Sequence, residues 1–169
     1  MRKTYELLTS LPENSYFIFS YADVIIFPNR KFDELIKHYI GLSADIVFMK
    51  EAPDLEISNI GFSLIKVCEA NKKLFRDAID KCENEPTSLD QSVVNQVLKS
   101  YTGKHYYFPS ENVGTSSTLI YFKKQSNDVL NNVLNNLIVF QALCNPTHGT
   151  DSAVLQKLHQ YKMFGINVP

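Results

Sequence analysis

The sequence predicts one α/β domain, a mostly parallel sheet of mixed character flanked by helices. Three observations carry this. Short apolar runs alternate along the chain with stretches of helical period. The runs are continuous rather than alternating in polarity, as strands covered on both faces are. The chain's 169 residues, 44% hydrophobic and 21% charged, suit one ordinary core.

In chain order, residues 1–14 hold one short helix. Residues 16–20 form a strand that runs on through 24–27. Phe32, Leu35, Ile36 and Tyr39 recur at helical spacing, with Asn29 as cap and Gly41 as stop. Strands follow at 46–49 and 62–67. Leu74, Phe75, Ala78 and Ile79 make the apolar face of a second amphipathic helix. Val93, Val94, Val97 and Leu98 make a third, opened by Ser88 or Asp90. Residues 118–122 read as a strand, 126–134 as a helix ending in an Asn135-Asn136 turn, and 137–143 as a last strand.

Composition excludes several classes. A net charge of −1 is not the basic footprint of a nucleic-acid-binding protein. No apolar run approaches 18 residues, so no membrane span is expected. No apolar stretch follows the basic start, so no signal peptide is expected and the location expected is cytoplasmic. Three widely spaced cysteines (Cys68, Cys82, Cys144) make neither a disulfide framework nor a cysteine zinc site, and reduced, buried thiols are expected. The metalloprotease HExxH, GxSxG and P-loop patterns are absent.

Ligands in open α/β sheets bind beyond the carboxyl ends of strands, so the polar residues around the apolar runs are the candidates. Asp23 interrupts the apolar stretch 18–27, where an ionised carboxylate is costly unless paired, hydrogen-bonded or metal-bound. It reads equally as a turn-capping aspartate and as a ligand for a hard divalent cation. Glu51 follows the run 46–49, and Asn59 and Gly61 precede Phe62. Asp90 and Gln91 open a helix, and His148 lies in a Pro-Thr-His-Gly turn. His38, His105 and His159 read as surface residues.

Taken in order, these segments resemble the GT-A class of nucleotide-sugar glycosyltransferases, and most of all the glycosyltransferase domain of the procollagen lysyl hydroxylase family. The matching residues are Phe17-Ile18-Phe19-Ser20-Tyr21-Ala22-Asp23-Val24-Ile25-Ile26, then Phe48-Met49-Lys50-Glu51, Asn59-Ile60-Gly61-Phe62, Asp90-Gln91 and His148-Gly149 with a helix after it. The resemblance implies a metal-dependent transfer of sugar from a nucleotide-sugar donor to a hydroxyl acceptor. By it, Asp23 and His148 hold a divalent metal, Mn²⁺ being expected. Glu51 and Asp90 are its catalytic carboxylates. Asn59, Gly61, Asp90 and Gln91 bind substrate.

The chain departs from that family twice. The second carboxylate of the metal motif, two or three residues before Asp23, is replaced by Tyr21 and Ser20. The segment ahead of the first strand is too short for the family's nucleotide-binding half, since one βαβ unit alone takes about 30 residues. Residues 1–169 are therefore expected to form one GT-A-like domain lacking most of that half. A homo-oligomer or partner chain is expected to cover the N-terminal sheet edge. Two alternatives stay open: an inactive GT-A fold kept as a binding or assembly module, and an unrelated α/β interaction protein whose polar loops are ordinary turns.

Overall fold

A computed structural model describes residues 1–27, 31–143 and 152–166. Its elements are α1 (Arg2–Ser10), β1 (Tyr16–Ser20), β2 (Val24–Ile26), α2 (Phe32–Gly41), β3 (Ile46–Lys50), β4 (Ser58–Lys66), α3 (Glu69–Asn84) and α4 (Asp90–Val97). After a short 3₁₀ turn come β5 (His105–Tyr107), β6 (Val113–Thr115), α5 (Ser116–Gln125), α6 (Asn127–Asn136), β7 (Val139–Gln141) and α7 (Ser152–Met163). Among these residues no helix is long and apolar enough to cross a membrane.

The strands make two small mixed sheets, ordered β1-β4-β3-β5 and β2-β7-β6. The expected mixed α/β class holds, but parallel pairing is the smaller share. Among the described residues only β3 with β5 and β6 with β7 run parallel, whereas β1 with β4, β3 with β4 and β2 with β7 are antiparallel. The reason is local. A seven-residue link between β3 and β4 closes as a hairpin-like turn, with Glu51 N donating to Ile57 O at 2.9 Å, and so short a link cannot return a strand parallel.

The first sheet is covered on both faces. Ile46 and Phe48 of β3 point into a cluster with Leu8 of α1, Leu74, Phe75 and Ala78 of α3, and Val93 and Val94 of α4. Val47 and Met49, one residue out of phase, point into a second cluster with Tyr39 of α2, Phe108, Val113 and Ile138. That period-two division explains why the strand's sequence is apolar throughout. α2 packs Phe32, Leu35 and Ile36 toward the second cluster, on the face its spacing predicts. Asn29, its expected cap, lies outside the described residues. A third cluster joins Phe140 of β7 to Leu119, Phe122, Leu130, Val133 and Tyr161 of the last three helices.

β4 carries an irregularity that matters for the site. Phe48 pairs with Ser63, yet the next residue of β3, Met49, pairs with Asn59. One step along β3 thus spans four along β4. The bulge changes the phase of the strand: Phe62 and Leu64 face the second cluster, whereas Ile60 faces the first together with Ile65. Bulges re-aim side chains in this way.

Three expectations are corrected. Residues 118–122 belong to α5, not a strand. Thr115 and Thr118 close a capping box at its start, and Thr118, Leu119 and Phe122 are buried on one helical face. The run 16–27 is not one strand: β1 and β2 join different sheets. Cys68 and Cys82 are free but only half-buried, and Cys144 lies outside the described residues.

Candidate active site

The two sheets meet where the chain leaves β1 at Tyr21-Ala22-Asp23 and enters β2. Tyr21 N donates to Gly61 O at 2.8 Å, tying this turn to the bulge of β4. Residues 58–61, read from sequence as a polar loop before a strand, lie inside β4. Asn59 there is 3% exposed. A buried amide has to satisfy both ends, and this one does. Its Nδ2 donates to Glu51 Oε2 at 2.7 Å, and its Oδ1 accepts from Gly61 N at 2.8 Å.

From Glu51 the contacts continue. Gln91 Nε2 donates to the same Oε2 at 3.1 Å, and Thr115 Oγ1 donates to the Glu51 carbonyl at 2.8 Å. Asp90, the first residue of α4, accepts from Gln91 N at 2.8 Å and from the Tyr21 hydroxyl at 3.1 Å. Burial first, then the charge of Asp90, holds the Tyr21 phenol well above its ordinary range, so it stays a proton donor. A ring of hydrogen bonds therefore closes through Tyr21, Asp90, Gln91, Glu51, Asn59 and Gly61. Four elements distant in sequence (the end of β1, the end of β3, the bulge of β4 and the start of α4) are locked together by it.

Gln141 of β7 links Asp23 to this ring. Gln141 is 5% exposed, and its Nε2 donates to Asp23 Oδ1 at 3.2 Å. Its amide packs on the Gly61 Cα, where a Cβ would collide with it and force the Gln141 amide to move. The Gln141 Oε1 is buried without a hydrogen-bond partner among the described residues. An orphaned buried acceptor costs on the order of 1–3 kcal/mol, and a ligand hydroxyl is the kind of donor that would satisfy it.

Asp23 is also paired from the other side. Lys157 of α7 makes a salt bridge to Asp23 Oδ2, the two side chains being 25% and 24% exposed. α7 is fixed at this point by two more bonds, from the Tyr161 hydroxyl to Asp23 O at 2.8 Å and from Gln160 Nε2 to Leu143 O at 2.6 Å. An open pocket of about 590 Å³ borders the ring on its Gln91 side, between α4 and β5.

Glu51, Asn59, Gly61, Asp90 and Gln91 thus come together directly, and Asp23 joins them through Gln141. His148 and Gly149 lie outside the described residues. A metal centre does not assemble from what is described. No group of three His, Cys, Asp or Glu side chains stands close enough among those residues. Asp23 brings one carboxylate, its oxygens already held by Lys157 and Gln141.

Sequence reasoning passed over Gln141, Lys157, Tyr161 and Thr115. Gln141 had a signal, as the lone amide in the apolar run 137–143. Lys157 had none. His105, read as a surface residue, is wedged between Phe48 and Tyr107, with ring centroids 5.7 and 4.7 Å away. Its Nε2 is buried without a hydrogen-bond partner among the described residues. His38 and His159 are exposed as read.

No protein-family model and no curated protein sequence matches the chain. Solved structures do. The galactosyltransferase LgtC, in complex with donor and acceptor sugar analogues, aligns at TM-score 0.56 and 15% identity, over 99% of this chain and 67% of that one. The apo form of the glycosyltransferase GlyE from Streptococcus pneumoniae aligns at TM-score 0.55 and 14% identity, over 98% of this chain and 42% of that one. An active-site mutant of LgtC, glutamine to glutamate, aligns at TM-score 0.54 and 16% identity. The chain spans about two-thirds of LgtC and less than half of GlyE. Its fold is the GT-A-like fold of these glycosyltransferases.

Proposed function

We propose that the chain transfers a sugar from a nucleotide-sugar donor to a hydroxyl acceptor. The observation that carries this reading is the closed ring through Tyr21, Asp90, Gln91, Glu51, Asn59 and Gly61. Residues singled out by their order in sequence meet in space, in a fold shared with glycosyltransferases. Fold alone does not assign an activity; this convergence adds site geometry to it.

In the transfer, the acceptor oxygen bonds to the anomeric carbon as the bond from that carbon to the donor's phosphate oxygen breaks. The electron pair leaves with the nucleoside diphosphate, and the hydroxyl proton passes to a carboxylate. Glu51 is our candidate. Both amide donors fall on its Oε2, so among the described residues Oε1 is left for a substrate hydroxyl. Asp90, exposed at the ring's outer side, and the orphaned Gln141 Oε1 suit further sugar hydroxyls. The pocket beside Gln91 is the acceptor's approach in this reading. The open side of β1, which among the described residues pairs only with β4, is where a partner chain or second copy would add.

The test is donor binding and turnover with a panel of nucleotide sugars, comparing the wild type with Glu51→Gln. Turnover should fall by roughly a hundredfold or more in the variant, with donor affinity changed little. No binding of any donor would overturn the proposal. A second reading, a sugar-nucleotide-binding module without turnover, is favoured by the full engagement of Asp23 and by the missing motif carboxylate. Binding without transfer or donor hydrolysis is its signature.

A further inference from the structure

Asp23, which the resemblance expects to ligate a divalent metal, is paired with the ammonium group of Lys157. We infer that Lys157 supplies the positive charge for the donor's diphosphate, with Asp23 as its positioning counter-ion, so that diphosphate binding needs no divalent cation. This rests on the glycosyl-transfer reading and adds to it how the leaving group's charge is met.

Four observations lead here. Where the metal motif wants a second carboxylate the chain has Ser20 and Tyr21. The Tyr21 hydroxyl is committed to Asp90. Asp23 has both oxygens occupied, Oδ1 by Gln141 and Oδ2 by Lys157. Lys157 is also not a free surface lysine. Its helix is tied to the Asp23 turn by Tyr161 and Gln160, and Tyr161 itself is buried against Phe140, ring centroids 5.6 Å apart.

The physical argument is one of charge and geometry. Departure of a nucleoside diphosphate builds negative charge on a phosphate oxygen, and a fixed positive charge nearby lowers that cost. A lysine binds phosphate as a point charge with three donors. One donor on Asp23 still leaves two for phosphate oxygens. In a site only a quarter exposed, the ion pair is less screened than a surface pair. The chain thus keeps a fixed cation beside the ring, on an aspartate whose two oxygens are both engaged.

Calorimetric titration of the full chain with pyrophosphate and with UDP and GDP tests this, each in EDTA and again in Mn²⁺. Lys157→Met and Lys157→Arg are compared with the wild type. Circular dichroism and the thermal midpoint report whether α7 stays docked. The expected result is binding in EDTA, changed by Mn²⁺ by no more than about threefold and weakened about tenfold or more in Lys157→Met. Lys157→Arg should recover part of the loss, which a merely structural role for the lysine stem would not explain. Diphosphate binding that requires Mn²⁺ and ignores Lys157→Met overturns the inference and leaves the glycosyltransferase reading standing. Absence of binding by any diphosphate or nucleotide sugar, with or without Mn²⁺, overturns both.

Discussion

The two sheets are built on different terms. β3 and β4 of the first are buried along their whole length except for the last residue of each, and helices cover both faces. The strands of the second sheet are three residues long. Three residues cannot carry a hydrophobic period, and a strand that short is held by what packs on it. Here that is the cluster of α5, α6 and α7 around Phe140. The first sheet is therefore the long, deeply buried frame, and the second a short patch held between that frame and its own helices. The site residues divide accordingly: Glu51, Asn59 and Gly61 belong to the frame, while Gln141 and Lys157 are delivered by the patch.

The sharpest challenge to that distinction is a pair of core truncations. Phe62→Ala, in a side chain with no exposure, should cost about 3–5 kcal/mol in urea unfolding and weaken the whole molecule. Leu119→Ala in α5, also fully buried, should cost about 2–5 kcal/mol. Its signature should be local: faster hydrogen exchange across α5, α6 and α7, with β3 and β4 still protected. Equal acceleration in both sheets would erase the contrast.

A smaller effect probes the frame alone. Asn71 is fully buried and donates to the carbonyls of Asp45 and Lys66 while accepting from the Tyr101 hydroxyl at 2.6 Å. Asn71→Ala orphans these partners and should cost about 3 kcal/mol by thermal or urea unfolding, with the C-terminal helices opening no earlier than before.

The least effect is a pH dependence. Burial holds the His105 imidazole below its ordinary 6.5, against a weaker opposing pull from Glu56. The unfolded chain then takes up a proton that the folded one resists. Stability is complete above about pH 6.5 and declines as pH falls from there toward the folded value. His105→Phe should flatten that acid slope in urea titrations between about pH 5 and 7. An unchanged slope would show that the first sheet's edge does not sense pH through this ring.

The same contrast governs what could be read in advance. Runs of four to six residues announced β1, β3 and most of β4, and amphipathic spacing announced α2, α3 and α4. β5 and β6 are too short to leave a pattern. α5 misled because Thr118, Leu119 and Ile120 look like a strand until the threonine cap is noticed. In the site, polar residues beside long strands were legible, since an ordered polar break in an apolar run has few structural uses. Lys157 was not, because its partner Asp23 lies 134 residues away and nothing local in a lysine on a helix marks where that helix returns.

The bulge in β4 makes the length of this segment as consequential as its composition. Between Asn59 and Ser63 the strand changes which of its residues face each layer, and it does so by carrying extra residues opposite Phe48 and Met49. The span carries three more residues than β3 does there, so removing one shortens the irregularity without abolishing it and disturbs the Asn59 contacts to Glu51 and Gly61 that its present length sets. A point deletion there would therefore disturb the ring of polar contacts and the packing of Ile60 and Phe62 together, because in this span the same few residues set both the architecture and the chemistry.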